Sequence, residues 1–379
     1  MKDDLVFNQV DINLGALKAN YRTLKSLINQ RPLMAVVKGD GYGHGLVESA
    51  KAFVEAGAQD LGVLDVLEGL TLRGVLPPEV NIHILAGLQT PGQIQAALDH
   101  NLTLVIYSLP QLKLIQEAMP IGSKARAYLK VDTGMGRLGL PYWAAESILT
   151  SLKDASGLVF LGLMTHLATA GDSESVRQLE RFNRLKEVDQ KLGVTLGQHS
   201  ALAGPGVLAF PDYPDQLSRA GLPLYGANPL VGQKAPIPLK SQKAISDLKP
   251  VMAFSSQIIQ TRTLKTGESL SYDRTFIAPY DIKVAALPVG YVHGLSRSRS
   301  SQGVALIEGQ RAPLLGRVCM NLSLFDISLI PEAKPGQKAI IVGGEGPLAI
   351  PIEEAAKWQG TSAYESLCLF GRLNARNYY

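Results

Sequence analysis

The segment from Leu33 to Gly45 reads LMAVVKGDGYGHG, so five apolar residues lead directly into a lysine and a glycine-rich stretch. A short apolar run bounded by glycines is typical of a buried strand that ends in a loop. Seven more such runs follow before residue 225, and segments of helical periodicity separate them. The eight predicted strands are Leu33–Val37, Leu61–Leu64, Ile82–Ala86, Leu102–Ile106, Ala125–Val131, Leu158–Thr165, Thr195–His199 and Gln216–Arg219.

This alternation of strand and helix predicts an α/β fold, a (β/α)8 TIM-type barrel at the N-terminal side, with an open doubly wound sheet as the alternative. From about residue 250 the pattern changes to strands separated by glycine turns, with Ile352–Trp358 as the predicted helix. We therefore divide the chain into a barrel, residues 1–249, and a mainly β domain, residues 250–379. Residues 1–10 contain a further strand that could pair with the second domain.

Composition excludes several classes of protein. The chain has 379 residues, 46% of them hydrophobic and 18% charged, which is typical of a folded globular protein. No run reaches the roughly 20 apolar residues that span a bilayer, and the N-terminus does not resemble a secretion signal, so we expect a cytoplasmic protein without a membrane partner. Two cysteines without ligand spacing predict no disulfide framework and no metal site. A net charge of +4, spread along the chain, gives no reason to expect a nucleic-acid partner.

Polar side chains follow the predicted strands at the end where barrel active sites lie. Lys38 follows the first strand directly, and a lysine that is partly buried there has a lowered pKa and can act as a base or form a Schiff base. A lysine exposed at a strand end is the alternative. Further candidates are Arg137, His166, His199 and Arg219.

The segment Ala35–Gly45 closely resembles the signature with which alanine racemases hold pyridoxal phosphate on a lysine. Similarity to that family continues along nearly the whole chain, at Lys130–Gly139, Thr165–Ala170, Arg219–Gly226, Leu270–Tyr272 and Gly316–Met320. The resemblance implies a barrel followed by a β domain and pyridoxal 5'-phosphate bound to Lys38 as an aldimine. It also implies interconversion of L- and D-alanine, which supplies D-alanine for cell-wall peptidoglycan.

Racemisation needs a base on each side of the α-carbon, because the proton lost from one face is replaced on the other. The resemblance assigns Lys38 to the D-enantiomer and Tyr272 to the L-enantiomer. It assigns His166 and Arg219 to the network that stabilises the tyrosine, and it places Arg219 against the pyridine nitrogen. It further implies a homodimer in which each site takes its tyrosine and methionine from the partner subunit.

Other roles implied by the resemblance concern the phosphate and the substrate. The phosphate ligands would be the Tyr42 hydroxyl, the main-chain N–H groups of Gly221 and Leu222, and Tyr364. The substrate would contact Arg137 and Met320, and Lys130 matches a position that is carbamylated in some family members.

The chain departs from the family pattern in the phosphate loop and at the substrate entrance. Alignment places Ala203 where the family has a phosphate-binding serine, and the candidate replacements are Ser200 and the Gly204 amide. At the entrance, Asn321 and His293 each stand where an aspartate is usual. These departures leave open a racemase of other small amino acids. Two alternative functions are a pyridoxal-dependent amino-acid decarboxylase on the same architecture and a non-catalytic pyridoxal-phosphate carrier.

Overall fold

The computed structural model describes residues 6–144, 149, 157–191 and 197–379, and its N-terminal part alternates strands and helices. The strands are β1 Gln9–Ile12, β2 Leu33–Val36, β3 Asp60–Val63, β4 Asn81–Ile84, β5 Thr103–Ile106, β6 Ala125–Asp132, β7 Leu140–Pro141, β8 Leu158–Met164 and β9 Ser218–Ala220. The helical segments are Leu14–Leu27, Lys38–Tyr42, Leu46–Glu55, Val66–Arg73, Pro91–Asp99, Leu109–Ala118, Tyr142–Ala144, Ser173–Lys191, Gly204–Ala209, Leu222–Tyr225 and Leu239–Asp247. No helix in these ranges is long and apolar enough to cross a membrane.

The parallel strands close into a barrel. β2, β3, β4, β5, β6 and β8 pair in that order, and β9 pairs with β2. Between β8 and β9 runs the extended segment 198–202, where Ser200 N–H donates to Leu163 O at 2.8 Å and Arg219 N–H donates to Leu202 O at 2.9 Å. The predicted (β/α)8 barrel is therefore confirmed, and the open sheet is excluded.

The seventh predicted strand, Thr195–His199, differs from its prediction. Residues 195 and 196 lie outside the described residues, and the described end forms a single bridge at Ser200 rather than a ladder. The Asp215 carboxylate accepts the N–H groups of Ala201 and Leu202 at 2.8 and 3.0 Å. Because a side chain satisfies these amides, regular strand pairing stops there.

The C-terminal part is built on a nine-stranded sheet. The strands of this part of the chain are β10 Met252–Gln257, β11 Gln260–Leu264, β12 Ser269–Leu270, β13 Phe276–Ile277, β14 Ile282–Leu287, β15 Val304–Ile307, β16 Gln310–Leu315, β17 Ser323–Asp326, β18 Lys338–Val342 and β19 Ala375–Tyr378, and β1 joins eight of them in the sheet. The sheet order is β11-β14-β17-β16-β15-β18-β10-β1-β19, with β12 and β13 forming a separate pair. Strand β1 thus pairs antiparallel with β10 and parallel with β19. The division at residue 250 stays a prediction.

Two helices close this part, Ile352–Gln359 and Ala363–Leu373. The second is absent from the predicted elements, although Ser362 caps it by accepting Glu365 N–H, and Leu367 and Phe370 are buried on one face. That helix packs against the loop after β2. A Cβ atom on Gly43 would collide with Leu367 O, and one on Gly371 would collide with Gly43 O. The C-terminal helix therefore holds the glycine-rich loop in place.

Candidate active site

A cavity of about 570 Å³ opens at the carboxyl ends of the barrel strands, and we call it the mouth cavity. Eight of the ten residues to which the resemblance assigns a catalytic, cofactor or substrate role line it: Lys38, Tyr42, Arg137, His166, Arg219, Gly221, Leu222 and Tyr364. Tyr272 and Met320 do not. His199 is also absent from the lining, since it is buried in the barrel wall, where its Nδ1 accepts Leu163 N–H at 3.1 Å.

Lys38 lies directly beyond the end of β2 and is half-buried. Burial lowers the pKa of its amine, and the positive charges of Arg137 and Arg219 lower it further, whereas Glu68 acts in the opposite direction. A lysine with a lowered pKa is neutral in a larger fraction of molecules at neutral pH. It is therefore a better nucleophile and a better base than an exposed lysine.

Positive charge accumulates in the mouth cavity. Lys130 also lines it, and burial together with Arg219 and Arg137 lowers the pKa of Lys130 to about 8. The cavity thus brings two lysines and two arginines together. Anions relieve such mutual repulsion, so the cavity suits a ligand that carries phosphate and carboxylate groups.

His166 and Arg219 meet at the wall of this cavity. The buried guanidinium donates from Nη1 to Ser200 O at 3.0 Å and from Nη2 to Thr165 O at 2.6 Å, and Nη2 lies 3.5 Å from His166 Nδ1. Burial and the Arg219 charge lower the pKa of His166 to about 3. His166 is therefore neutral at physiological pH. Since arginine only donates, the Nδ1 that faces Arg219 is the acceptor, and Nε2 carries the hydrogen.

One end of the cavity has the features of a phosphate site. The main-chain N–H groups of Gly221 and Leu222 have no hydrogen-bond partner among the described residues. A Cβ atom on Gly221 would collide with the Tyr42 hydroxyl, so glycine lets the main chain and this hydroxyl come together. The Tyr42 ring packs 6.0 Å from that of Tyr364. Two free amides and a hydroxyl beside a cationic cavity fit the phosphate of pyridoxal phosphate.

The neighbouring loop lacks a side-chain donor at Ala203, which lines the cavity. Ser200 does not replace it, because its hydroxyl donates to Leu217 O and accepts from Arg219. The main chain of Gly204, which also lines the cavity, remains. Asp215 is absent from the predicted site residues, yet its buried carboxylate accepts the N–H groups of residues 201 and 202 and accepts from Ser218 Oγ at 3.2 Å. The sequence signal that could have indicated Asp215 is an acidic residue four positions before Arg219.

Tyr272 and Met320 lie together on the C-terminal part, on what we call the tyrosine face. Their side chains are 67% and 55% exposed. The preceding residue, Ser271, joins their two segments, since its hydroxyl donates to Arg317 O at 2.8 Å and lies 3.4 Å from Cys319 Sγ. The entrance departures lie next to this face, because Asn321 directly follows Met320 and the N–H of Val292, which precedes His293, donates to Met320 O at 3.2 Å. His293 and Asn321 line a surface hollow that is separate from the mouth cavity.

A partly buried lysine at the mouth of a closed barrel, with an anion site nearby, fits a pyridoxal-phosphate enzyme of the barrel type. Family models agree with this class. The alanine racemase N-terminal domain matches residues 12–229, and the alanine racemase C-terminal domain matches residues 251–378. The chain belongs to the alanine racemase family, whose members depend on pyridoxal phosphate.

Individual relatives extend over the whole chain. Alanine racemase of Desulforamulus reducens is 34% identical over 376 residues, which are 97% of this chain and 98% of the relative. The solved alanine racemase of Streptomyces coelicolor has a TM-score of 0.90 at 29% identity, covering 100% of this chain and 99% of that one. The alanine racemase of Bartonella henselae, solved with covalently bound pyridoxal phosphate, shares the fold with a TM-score of 0.87 at 24% identity, covering 99% and 100%.

Proposed function

We propose that this chain interconverts L-alanine and D-alanine and supplies D-alanine for peptidoglycan, with Lys38 and Tyr272 as its two bases. The observation that carries the proposal is the mouth cavity, where a lysine with a lowered pKa lies among cations beside free main-chain amides. When bound, pyridoxal phosphate withdraws electrons from the α-carbon and so acidifies its proton.

The residues of the mouth cavity have different roles in this proposal. Lys38 holds the cofactor and, once the amino acid has displaced it, removes or returns the α-proton on one face. Tyr42, Tyr364 and the amides of Gly221 and Leu222 bind phosphate. Arg137 binds the substrate carboxylate, as an arginine at the exposed edge of the cavity can do without losing its charge.

Arg219 and His166 support the second base. Arg219 Nε has no partner among the described residues, which leaves it free to face the ring nitrogen, and an arginine there does not transfer a proton to the ring. Neutral His166 can donate from Nε2 to a tyrosine oxygen. Such a donor stabilises the phenolate form and lowers the pKa of the tyrosine, which otherwise is near 10.

The position of the tyrosine supports a contribution from a second copy of the chain. Tyr272 and Met320 are exposed and lie outside the lining of the mouth cavity. We therefore propose a two-fold dimer in which the tyrosine face of each subunit completes the cavity of the other.

The direct test is to incubate the purified protein with pyridoxal phosphate and L-alanine and to measure D-alanine by chiral chromatography. Parallel incubations with serine and other small L-amino acids measure breadth. Carbon dioxide release without a D-enantiomer would instead indicate a decarboxylase. Absence of any reaction with the holoenzyme would contradict the proposal.

Isotope exchange tests the assignment of the two bases. In Tyr272→Phe, Lys38 still exchanges the α-proton of D-alanine with D2O, whereas exchange into L-alanine is nearly lost. Tyr280→Phe, which alters another exposed tyrosine of the C-terminal part, is the matched control. Equal loss for both enantiomers would mean that Tyr272 has a structural role.

A further inference from the structure

Glu68 lies in the first turn of helix Val66–Arg73, and its carboxylate spans two neighbouring strand ends. Oε1 accepts the N–H of Gly39 at 2.7 Å, and Oε2 accepts the N–H of Leu64 at 2.7 Å. Gly39 directly follows Lys38, and Leu64 directly follows β3. One half-buried side chain therefore ties the residue after the proposed cofactor lysine to the adjacent strand of the barrel.

Helix capping does not account for these contacts. Asp65 and Glu68 have the spacing of a capping box, in which the glutamate would accept the N–H of the capping residue itself. Asp65 does cap the helix, because its Oδ1 accepts Glu68 N–H at 3.1 Å. The Glu68 carboxylate, however, contacts Leu64 and Gly39 instead.

The main chain after Lys38 needs support from outside. Gly39, Asp40, Gly41 and Tyr42 have φ values of 67°, 58°, 60° and 53°. Asp40 and Tyr42 are L-residues in the left-handed region, a conformation that persists only where the surroundings hold it. Glu68 binds at the start of this run and also reaches Asp40 N–H at 3.5 Å. Displacement there would move Lys38.

The charge of Glu68 matters as well as its hydrogen bonds. The groups acting on Lys38 are Arg137 and Arg219, which lower its pKa, and Glu68 and Cys368, which raise it. Lys130 adds a further cation on the adjacent wall, and the charge of Lys38 is among those that lower the pKa of Lys130. Glu68 is thus the carboxylate that opposes this positive charge at Lys38.

We propose that Glu68 is a positioning residue, whose carboxylate fixes the main chain at Gly39 and presents a negative charge to Lys38. The proposal rests on the function proposed above, in which Lys38 is the reactive amine. Two properties follow for the full-length, cofactor-free protein. The amides of the loop exchange slowly with solvent, and the acetylation of Lys38 depends on pH in a way that Glu68 sets.

Three variants separate these effects. In Glu68→Gln the pH midpoint of Lys38 acetylation, followed by mass spectrometry, falls by up to about one unit, because a half-buried opposite charge is lost. Amide exchange in the peptide that contains Gly39 rises about tenfold. Glu68→Asp keeps the negative charge on a shorter side chain. Amide exchange at Gly39 therefore rises, whereas the pH midpoint of Lys38 acetylation changes less than in Glu68→Gln. Asp65→Asn, which keeps the helix cap but removes a neighbouring carboxylate, leaves both near the native values.

The proposal would be overturned if folded Glu68→Gln kept the native pH midpoint of Lys38 acetylation and the native amide exchange at Gly39. It would also be overturned if Asp65→Asn changed both quantities as much as Glu68→Gln does. If Glu68→Gln does not fold, increased exchange in Glu68→Asp supports the proposal and native exchange there refutes it. Neither measurement uses cofactor or substrate. The proposed function is tested separately: if the cofactor still attaches to the Lys38→Ala variant, Lys38 is not the reactive amine.

Discussion

The mouth cavity and the tyrosine face carry the two proposed bases in opposite surroundings. Lys38 is half-buried among cations that lower its pKa, and its main chain is held from both parts of the chain. Tyr272 is 67% exposed, and Met320 beside it is 55% exposed. A tyrosine in water has a pKa near 10, so it needs hydrogen-bond donors or positive charges around it to act as a base at neutral pH.

This difference supports the proposal that one chain contains two incomplete halves of a site. The mouth cavity has the groups proposed to hold the cofactor and one of the two proposed bases. The tyrosine face has the other proposed base, and that residue is exposed. Covering exposed Tyr272 and Met320 with the cavity of a second copy would bury them and bring the tyrosine to His166. Four predictions test this comparison.

The largest expected effect is the loss of the cofactor in Lys38→Ala. Because the proposed covalent attachment is removed, the bound-cofactor absorbance and the racemase activity should both disappear. Visible spectroscopy after dialysis measures this. Lys51→Ala, on the exposed face of the next helix, is the control and should behave as the native protein. A borohydride-reducible adduct that persists in Lys38→Ala would place the attachment on another lysine.

The second prediction concerns the pairing of the two halves. Lys38→Ala and Tyr272→Phe chains should each be nearly inactive, and a mixed dimer has one native site of two. With random exchange about half of the dimers are mixed, so roughly a quarter of the native activity should return. Tagged subunits verify that exchange has occurred. If verified mixed dimers stay inactive, both bases belong to one chain.

A smaller effect is expected in the phosphate loop of the mouth cavity. Ala203→Ser supplies a hydroxyl beside the free amides, and one charge-assisted hydrogen bond contributes on the order of 1.5–3 kcal/mol before strain. Cofactor affinity, measured by titration of the cofactor-free protein, should rise about tenfold. Ala209→Ser, at the other end of the same short helix, should change nothing. Equal affinity in Ala203→Ser would show that main-chain donors already fill the role.

The smallest effect concerns the pH dependence of stability. Lys130 has a pKa of about 8 in the folded protein and about 10.5 when unfolded, so the unfolded chain binds more protons between these values. The free energy of unfolding therefore rises with pH in this window. Well below pH 8, Lys130 is protonated in both states, and the free-energy cost of its buried charge no longer changes with pH. Lys130→Met should reduce the rise from pH 7.5 to 9.5 by about 1 kcal/mol, after allowance for solvent screening. Urea denaturation of the cofactor-free protein in carbonate-free buffer measures this rise in the free energy of unfolding. Lys124→Met is the control and should show the native rise. An unchanged rise would mean that Lys130 titrates as an exposed lysine.

Sequence determined much of the molecule because its signals are local. Apolar runs alternating with helical segments predict the order of strands and helices, although they fit an open sheet as well as a barrel. A lysine directly after a parallel strand lies at the carboxyl edge of the sheet in either case. The segment Ala35–Gly45 was specific enough to indicate the family, which the comparisons confirm. The roles of the individual site residues stay predictions.

Contacts between residues far apart in the chain were decided by the tertiary structure. Periodicity does not show that Asp215 satisfies the amides of the seventh strand segment, or that the helix beginning at Ala363 packs on the loop after β2. It also does not show that Glu68 reaches Gly39, since 29 residues separate them and β3 brings them together. Local sequence specifies which chemical groups are present. Their spacing, burial and mutual charge depend on which segments the closed barrel and the sheet bring side by side, and these set the pKa values of Lys38, Lys130 and His166.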